Sequence, residues 1–148
     1  MRRACLVFFL LPYAVLANAA EKHQCTFSPA KGAEVKFQIH IDKDNVIQKF
    51  QYDSFTHQGY TCLIHGSRQG EKYHDRNSEW TTKGNQTHVQ TFFYEEKAAE
   101  VVFTRTGKKI EYELLSYEHP TICGVGGWVV SKFVIDLSTN SCVQLSKY

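Results

Sequence analysis

The sequence predicts an all-β domain, a small antiparallel β-barrel or alternatively a β-sandwich, held by two disulfides. Three observations carry that expectation: apolar residues recurring with a period of two, turn-forming residues between those runs, and an even cysteine count once a leader is set aside. At 148 residues with 43% hydrophobic and 14% aromatic side chains, the chain has the length of one domain and the apolar matter for one core.

The first hairpin spans residues 34–52. Val35, Phe37, Ile39 and Ile41 alternate with Lys36, Gln38, His40 and Asp42, so the apolar set lies on one face of a strand. Lys43-Asp44-Asn45 supplies the turn, and Val46, Phe50 and Tyr52 return in step. Tyr60, Cys62 and Ile64 alternate in the next strand, and the polar stretch 66–78 reads as a long loop. Residues 78–82 make a short edge strand, followed by strands at 87–94, 99–105, 109–117, 128–137 and 141–145. Thr106-Gly107 is the clearest tight turn, because glycine supplies the positive φ that a two-residue hairpin needs; Glu95-Glu96-Lys97 and Ser138-Thr139-Asn140 close two others. No run keeps a 3.6-residue period over three turns, and 95–100 has room for one turn at most. Such a meander removes its exposed edges most simply by closing into a barrel.

The first nineteen residues have the grammar of a secretory signal, with the mature domain over residues 20–148. Arg2 and Arg3 form a basic start, an apolar run extends from Ala4 past Pro12 to Leu16, and Ala17-Asn18-Ala19 is a small-x-small cleavage site. That run falls short of the roughly 18 to 20 apolar residues of a membrane span and no later stretch approaches it, so a secreted or periplasmic protein with no membrane partner is expected.

Lys and Arg number 17 against 15 Asp and Glu, and removing Arg2 and Arg3 leaves the two signs balanced. A neutral mature chain argues against a nucleic-acid partner bound by bulk phosphate neutralisation. Without Cys5 the cysteines are Cys25, Cys62, Cys123 and Cys142, which an oxidising compartment would join in one of three pairings. No C-x-x-C pair supports a zinc site, and no metal or cofactor is expected.

Catalytic signatures are sparse. The seven histidines show no H-x-H, H-x-x-H or H-E-x-x-H spacing, and His40 and His88 fall on the polar faces of their strands. Gly124-Val125-Gly126-Gly127 lacks the Lys-Ser/Thr of a phosphate loop and reads as a tight connection that brings Trp128 into the sheet beside Cys123. There is no G-x-S-x-G. A secreted ribonuclease is the one hydrolase with the needed groups in one region, namely His57, His65, His74, Glu71, Arg68 and Arg76, although their spacing matches no motif.

Binding is the better-supported activity. Ser67, Arg68, Tyr73, Arg76, Trp80 and Lys83 concentrate charge and aromatic surface in one polar region, and loops on a rigid β scaffold are where partner contacts gather. The competing account lets Tyr73 and Trp80 tuck into the barrel end as lids over the core. Asn85-Gln86-Thr87 is an N-glycosylation acceptor in a eukaryote.

Gly70-Glu71-Lys72-Tyr73, followed after nine residues by Lys83-Gly84, resembles the G-x-x-Y and K-G pattern of bacterial periplasmic and membrane-bound inhibitors of c-type lysozyme. Gln69 stands where that pattern has serine, with Ser67 two residues earlier, and Asn85-Gln86-Thr87 replaces its acidic residues. The resemblance implies a small exported antiparallel barrel whose Lys83 enters a hydrolase cleft and meets its carboxylates. The expected protein is therefore an exported non-catalytic inhibitor or immunity protein whose partner is a protein such as a cell-wall hydrolase. The alternatives are a secreted effector of a host-associated microbe and a small secreted hydrolase.

Overall fold

The computed structural model describes residues 20–59, 61–69 and 76–145. The expected signal peptide, Tyr60 at the head of its strand, and Tyr73 with the rest of 70–75 lie outside the described residues. Among those described are ten strands and one short helix: β1 (Glu21–Phe27), β2 (Ala33–Ile41), β3 (Ile47–Thr56), β4 (Thr61–Ser67), β5 (Arg76–Lys83), β6 (Gln86–Phe93), β7 (Glu96–Thr106), β8 (Lys109–Tyr117), α1 (His119–Ile122), β9 (Lys132–Asp136) and β10 (Ser141–Gln144). The all-β expectation holds. The strands form two antiparallel sheets in sequence order, β1-β2-β3-β4 and β5-β6-β7-β8-β9-β10, so every connection within a sheet joins neighbours.

Period-two alternation turns one face of each sheet inward. Val35, Phe37, Ile39 and Ile41 of β2 are buried as expected, and Phe50, Tyr52, Phe103, Tyr112 and Phe133 fill the space between the sheets. Their rings meet edge-on or stacked: Phe37 and Phe133 lie 5.0 Å apart, Tyr112 and Phe133 4.6 Å, and Phe50 and Phe103 5.1 Å. Each such pair adds about 0.5 to 1.5 kcal/mol beyond the area it buries.

Two seams separate the sheets. At one, Cys25 of β1 is bonded to Cys142 of β10 with their Cα atoms 5.7 Å apart, and Asn140 faces the buried His23 imidazole at 3.0 Å. At the other, β4 meets β5. One end is tied by Arg105, whose guanidinium donates to the backbone and side-chain oxygens of Asn45 and to the Gly107 carbonyl, linking the β2–β3 turn to the β7–β8 turn.

The second disulfide, Cys62–Cys123, anchors the connection after α1 to β4. Gly124 donates its N–H to the Thr61 carbonyl and Gly127 its own to Gly124, a turn completed by Gly126 at φ +79°. Only glycine fits at 127, where an added Cβ would stand 2.8 Å from the Cys62 sulfur. The chain then crosses the sheet end, with the Trp128 carbonyl accepting from Ser54 and the Val130 N–H donating to the Tyr52 hydroxyl.

Several boundaries differ from the expected ones, each for a local reason. The strand expected at 128–137 is confined to Lys132–Asp136, because the backbone groups of Trp128 and Val130 are engaged by side chains instead of a ladder. Val46 is exposed and Ile47 takes its place in the core, since a bulge at Gln48 sets Ile41 opposite Ile47 but His40 opposite Lys49. Gly66 and Ser67 belong to β4 and Ser78 to β5, which shortens the expected loop at both ends. The hairpin expected to turn at Glu95-Glu96-Lys97 turns at Tyr94-Glu95, both at positive φ. Gly107 has the expected positive φ, +60°. Strand β1 and helix α1 lie outside the expected elements, the first with only His23, Cys25 and Phe27 in alternation and the second a single turn led by Pro120.

Candidate functional site

The β4–β5 seam gathers most of the expected binding residues. Ser78, Trp80 and Thr82 share one face of β5 by the period of two, opposite the end of β4 where Gly66 presents no side chain. A Cβ on Gly66 would meet Phe50 at 2.9 Å, Trp80 at 3.2 Å and Ser78 at 3.3 Å, so the glycine is what lets the two strands approach.

Into that gap Trp80 lays its indole, edge-on to Phe50 with ring centres 6.0 Å apart, and its Nε1–H donates to the Ser78 hydroxyl at 2.9 Å. Arg68 covers the other side of the ring. Its guanidinium carbon lies 4.8 Å from the indole centre, Nε donates to the Ile47 carbonyl at 2.8 Å, and Nη2 donates to the Thr82 hydroxyl at 3.0 Å. Burial pulls the guanidinium below its ordinary pKa, and the nearby Asp42 carboxylate acts the other way. Thr82 also meets Thr87 across the hairpin at 3.2 Å.

The expected site residues thus fall into two sets. Ser67 is buried in the seam, while Arg68 and Trp80 stack on each other and bond to backbone and hydroxyl oxygens within the fold. Lys83 is exposed at the end of β5, beside Gly84 at φ +60°, and makes no ion pair among the described residues. Arg76 opens β5, its backbone opposite Phe93. Gly66, Ser78 and Thr82 complete the seam beyond the expected residues; the S-x-W-x-T alternation from 78 to 82 is the sequence signal that Ser78 and Thr82 point the same way as Trp80, while Gly66 has no local signal.

Further along the seam, a cavity of about 100 Å³ lies between β4, β6 and α1, lined by Ile64, Thr91, Phe92, Ala98 and Ile122. Within the ribonuclease set, His57 lies apart from Arg68. His57 lies in the loop before β4 and meets the Gly32 carbonyl at 3.4 Å, while Arg68 follows the far end of β4, about 20 Å of strand away. Among the described residues, no three His, Cys, Asp or Glu side chains group as a metal site, and no helix is long and apolar enough to cross a membrane. Asn85 is exposed and its amide donates to the Arg105 carbonyl at 3.1 Å. Compared with known proteins, the chain matches no family model, no curated protein and no solved structure.

Proposed function

We propose that the chain is an exported, non-catalytic protein that inhibits a partner hydrolase by presenting Lys83 to the carboxylates of its cleft. The observation that carries this reading is a solvent-facing cation at the apex of a braced hairpin: Arg68 bonds to Thr82 and stacks on Trp80, directly behind Lys83. A pre-organised lysine loses little freedom on binding, so more of the charge-assisted bond is kept as affinity. On this reading Ser67, Arg68 and Trp80 are the brace and not the contact. Two disulfides suit an oxidising compartment, which supports export. We read the two sheets as a barrel opened at two seams, since sequence-adjacent strands line its whole circuit and each seam is cross-linked by side chains.

The test is titration of the purified mature protein into a lysis assay with c-type lysozyme and, for an immunity role, into a panel of peptidoglycan amidases. Inhibition is expected at micromolar protein, and Lys83→Ala should weaken it by about 2 to 5 kcal/mol while the thermal unfolding midpoint stays in place. No inhibition, or inhibition indifferent to Lys83→Ala, would overturn the reading.

A further inference from the structure

The outward face of β1–β4 carries a pattern that folding stability does not explain. The strand register sets Lys22 opposite His40 and His40 opposite Lys49, so three basic side chains stand side by side across three strands. Basic groups set opposite one another across strands repel once the imidazole takes up its proton, and they gain nothing from pairing. Elsewhere the same protein pairs opposite signs: Lys36 faces Asp53 and is bridged to Glu34 at 3.2 Å, Lys132 is bridged to Glu111 at 2.9 Å and Glu113 at 3.2 Å, and Lys109 faces Asp136. Among the described residues, the row through His40 has no such partner. The nearest carboxylate along β2, Asp42, is committed to the N–H groups of Asp44 and Val46 and to the Gln48 amide, and Glu21 lies toward His23.

The next outward row is equally ordered. Gln24, Gln38, Gln51 and His65 face one another in register across all four strands, an amide-rich line beside the basic one, with the Gln51 amide donating to Asp53 at 2.8 Å. Two steps of strand spacing separate Lys22 from Lys49, about 10 Å, which is the scale of a disaccharide.

We propose that this face binds a linear anionic polysaccharide, its carboxylate or sulfate groups on Lys22, His40 and Lys49 and its hydroxyls on Gln24 and Gln38, with Gln51 held beside them by Asp53. Charge complementarity selects the anion, and the amide row selects the sugar. The two rows offer no exposed aromatic ring on which unpaired bases could stack, and no apolar residue to enter a lipid surface. The surface is on the other sheet from Lys83, so the assignment stands apart from the inhibitor reading.

His40 makes the binding dependent on pH. Its pKa is lowered first by burial and then by the charges of Lys49 on β3 and Lys22 on β1. An anion docked on the row offsets that repulsion and favours the imidazolium, so affinity rises as pH falls through the titration of this imidazole.

The experiment measures affinity for dextran sulfate, with neutral dextran, polyphosphate, single-stranded DNA and anionic phospholipid vesicles as comparison probes. Dextran sulfate should bind and neutral dextran should not. Lys22→Gln with Lys49→Gln should weaken binding about tenfold without lowering the melting temperature, Lys22→Arg with Lys49→Arg should retain it, and Lys109→Gln on the other sheet should leave it unchanged. Gln24→Ala with Gln38→Ala should reduce affinity for dextran sulfate more than for polyphosphate. Lys83→Ala should not affect any of these, which keeps this result separate from the lysis assay. Binding that ignores the lysine substitutions, or that is tighter to polyphosphate, DNA or vesicles than to dextran sulfate, would overturn the proposal.

Discussion

The Ser78 hydroxyl stands in for a missing rung against Ser67: it accepts the Ser67 N–H and donates to the Ser67 carbonyl, both at 3.1 Å. With the Trp80 indole as a third partner at 2.9 Å, its one proton and two lone pairs are all engaged. A single side chain therefore satisfies the backbone of β4 where no ladder partner reaches it.

Ser78→Ala should cost about 1 to 3 kcal/mol, because it strands a half-buried N–H, a carbonyl and an indole N–H together. Urea unfolding of the variant measures it. An unchanged midpoint would mean that water replaces the hydroxyl at no cost.

Tyr112 poses the opposite case. Its ring is fully buried, stacked on Tyr52 at 5.7 Å, yet its hydroxyl has no hydrogen-bond partner among the described residues. Burial first, and the neighbouring Tyr52 second, push its pKa well above the ordinary phenol value. Tyr112→Phe removes an unsatisfied polar atom and keeps the ring, so stability should rise by about 1 kcal/mol. A fall in the denaturation midpoint would show that the hydroxyl is bonded in solution.

Gly127 and Gly124 should respond differently to the same change. A methyl at 127 would press on the Cys62 sulfur at 2.8 Å and on the carbonyls of Gly124 and Thr61 at 3.0 Å, whereas one at 124 meets only the Thr61 carbonyl at 3.9 Å. Gly127→Ala should destabilise by about 1 to 3 kcal/mol and Gly124→Ala by well under that. Equal effects in differential scanning calorimetry would contradict the close passage of this loop over the disulfide.

The depressed pKa of His40 also makes a statement about stability. Below about pH 6.5 the unfolded chain takes up a proton that the folded one resists, so this residue's contribution falls as pH drops until the folded imidazole titrates as well. His40→Gln should flatten the acid side of the stability profile relative to the parent. Parallel profiles between pH 7 and 5 would sink the assignment.

Alternation made β2, β6 and β8 readable because one face of each is covered and the other wet: Val35 through Ile41, and Ile110 with Tyr112, are core by period alone. Val46 misled because a bulge changes phase without changing composition, and the extra residue at Gln48 is visible only once the partner strand is known. The expected site was half legible for the same reason. Arg68 and Trp80 look alike in sequence whether they face a partner or each other, and only the seam distinguishes the two. The Lys22–His40–Lys49 row depends on three separate stretches of chain coming into register, which no local pattern encodes.

The Cys25–Cys142 bond joins residues 117 apart in sequence, so nearly every strand lies inside one covalent ring. A force applied to the chain outside the two cysteines is carried by the S–S bond and never reaches the ladders between. Pulled from its ends, the oxidised molecule should extend only through its tails, and the sheets should begin to unzip, from β10 inward, only after that bond is reduced. Mechanical toughness in this fold is thus a property switched by thiols, independent of how favourable its core is.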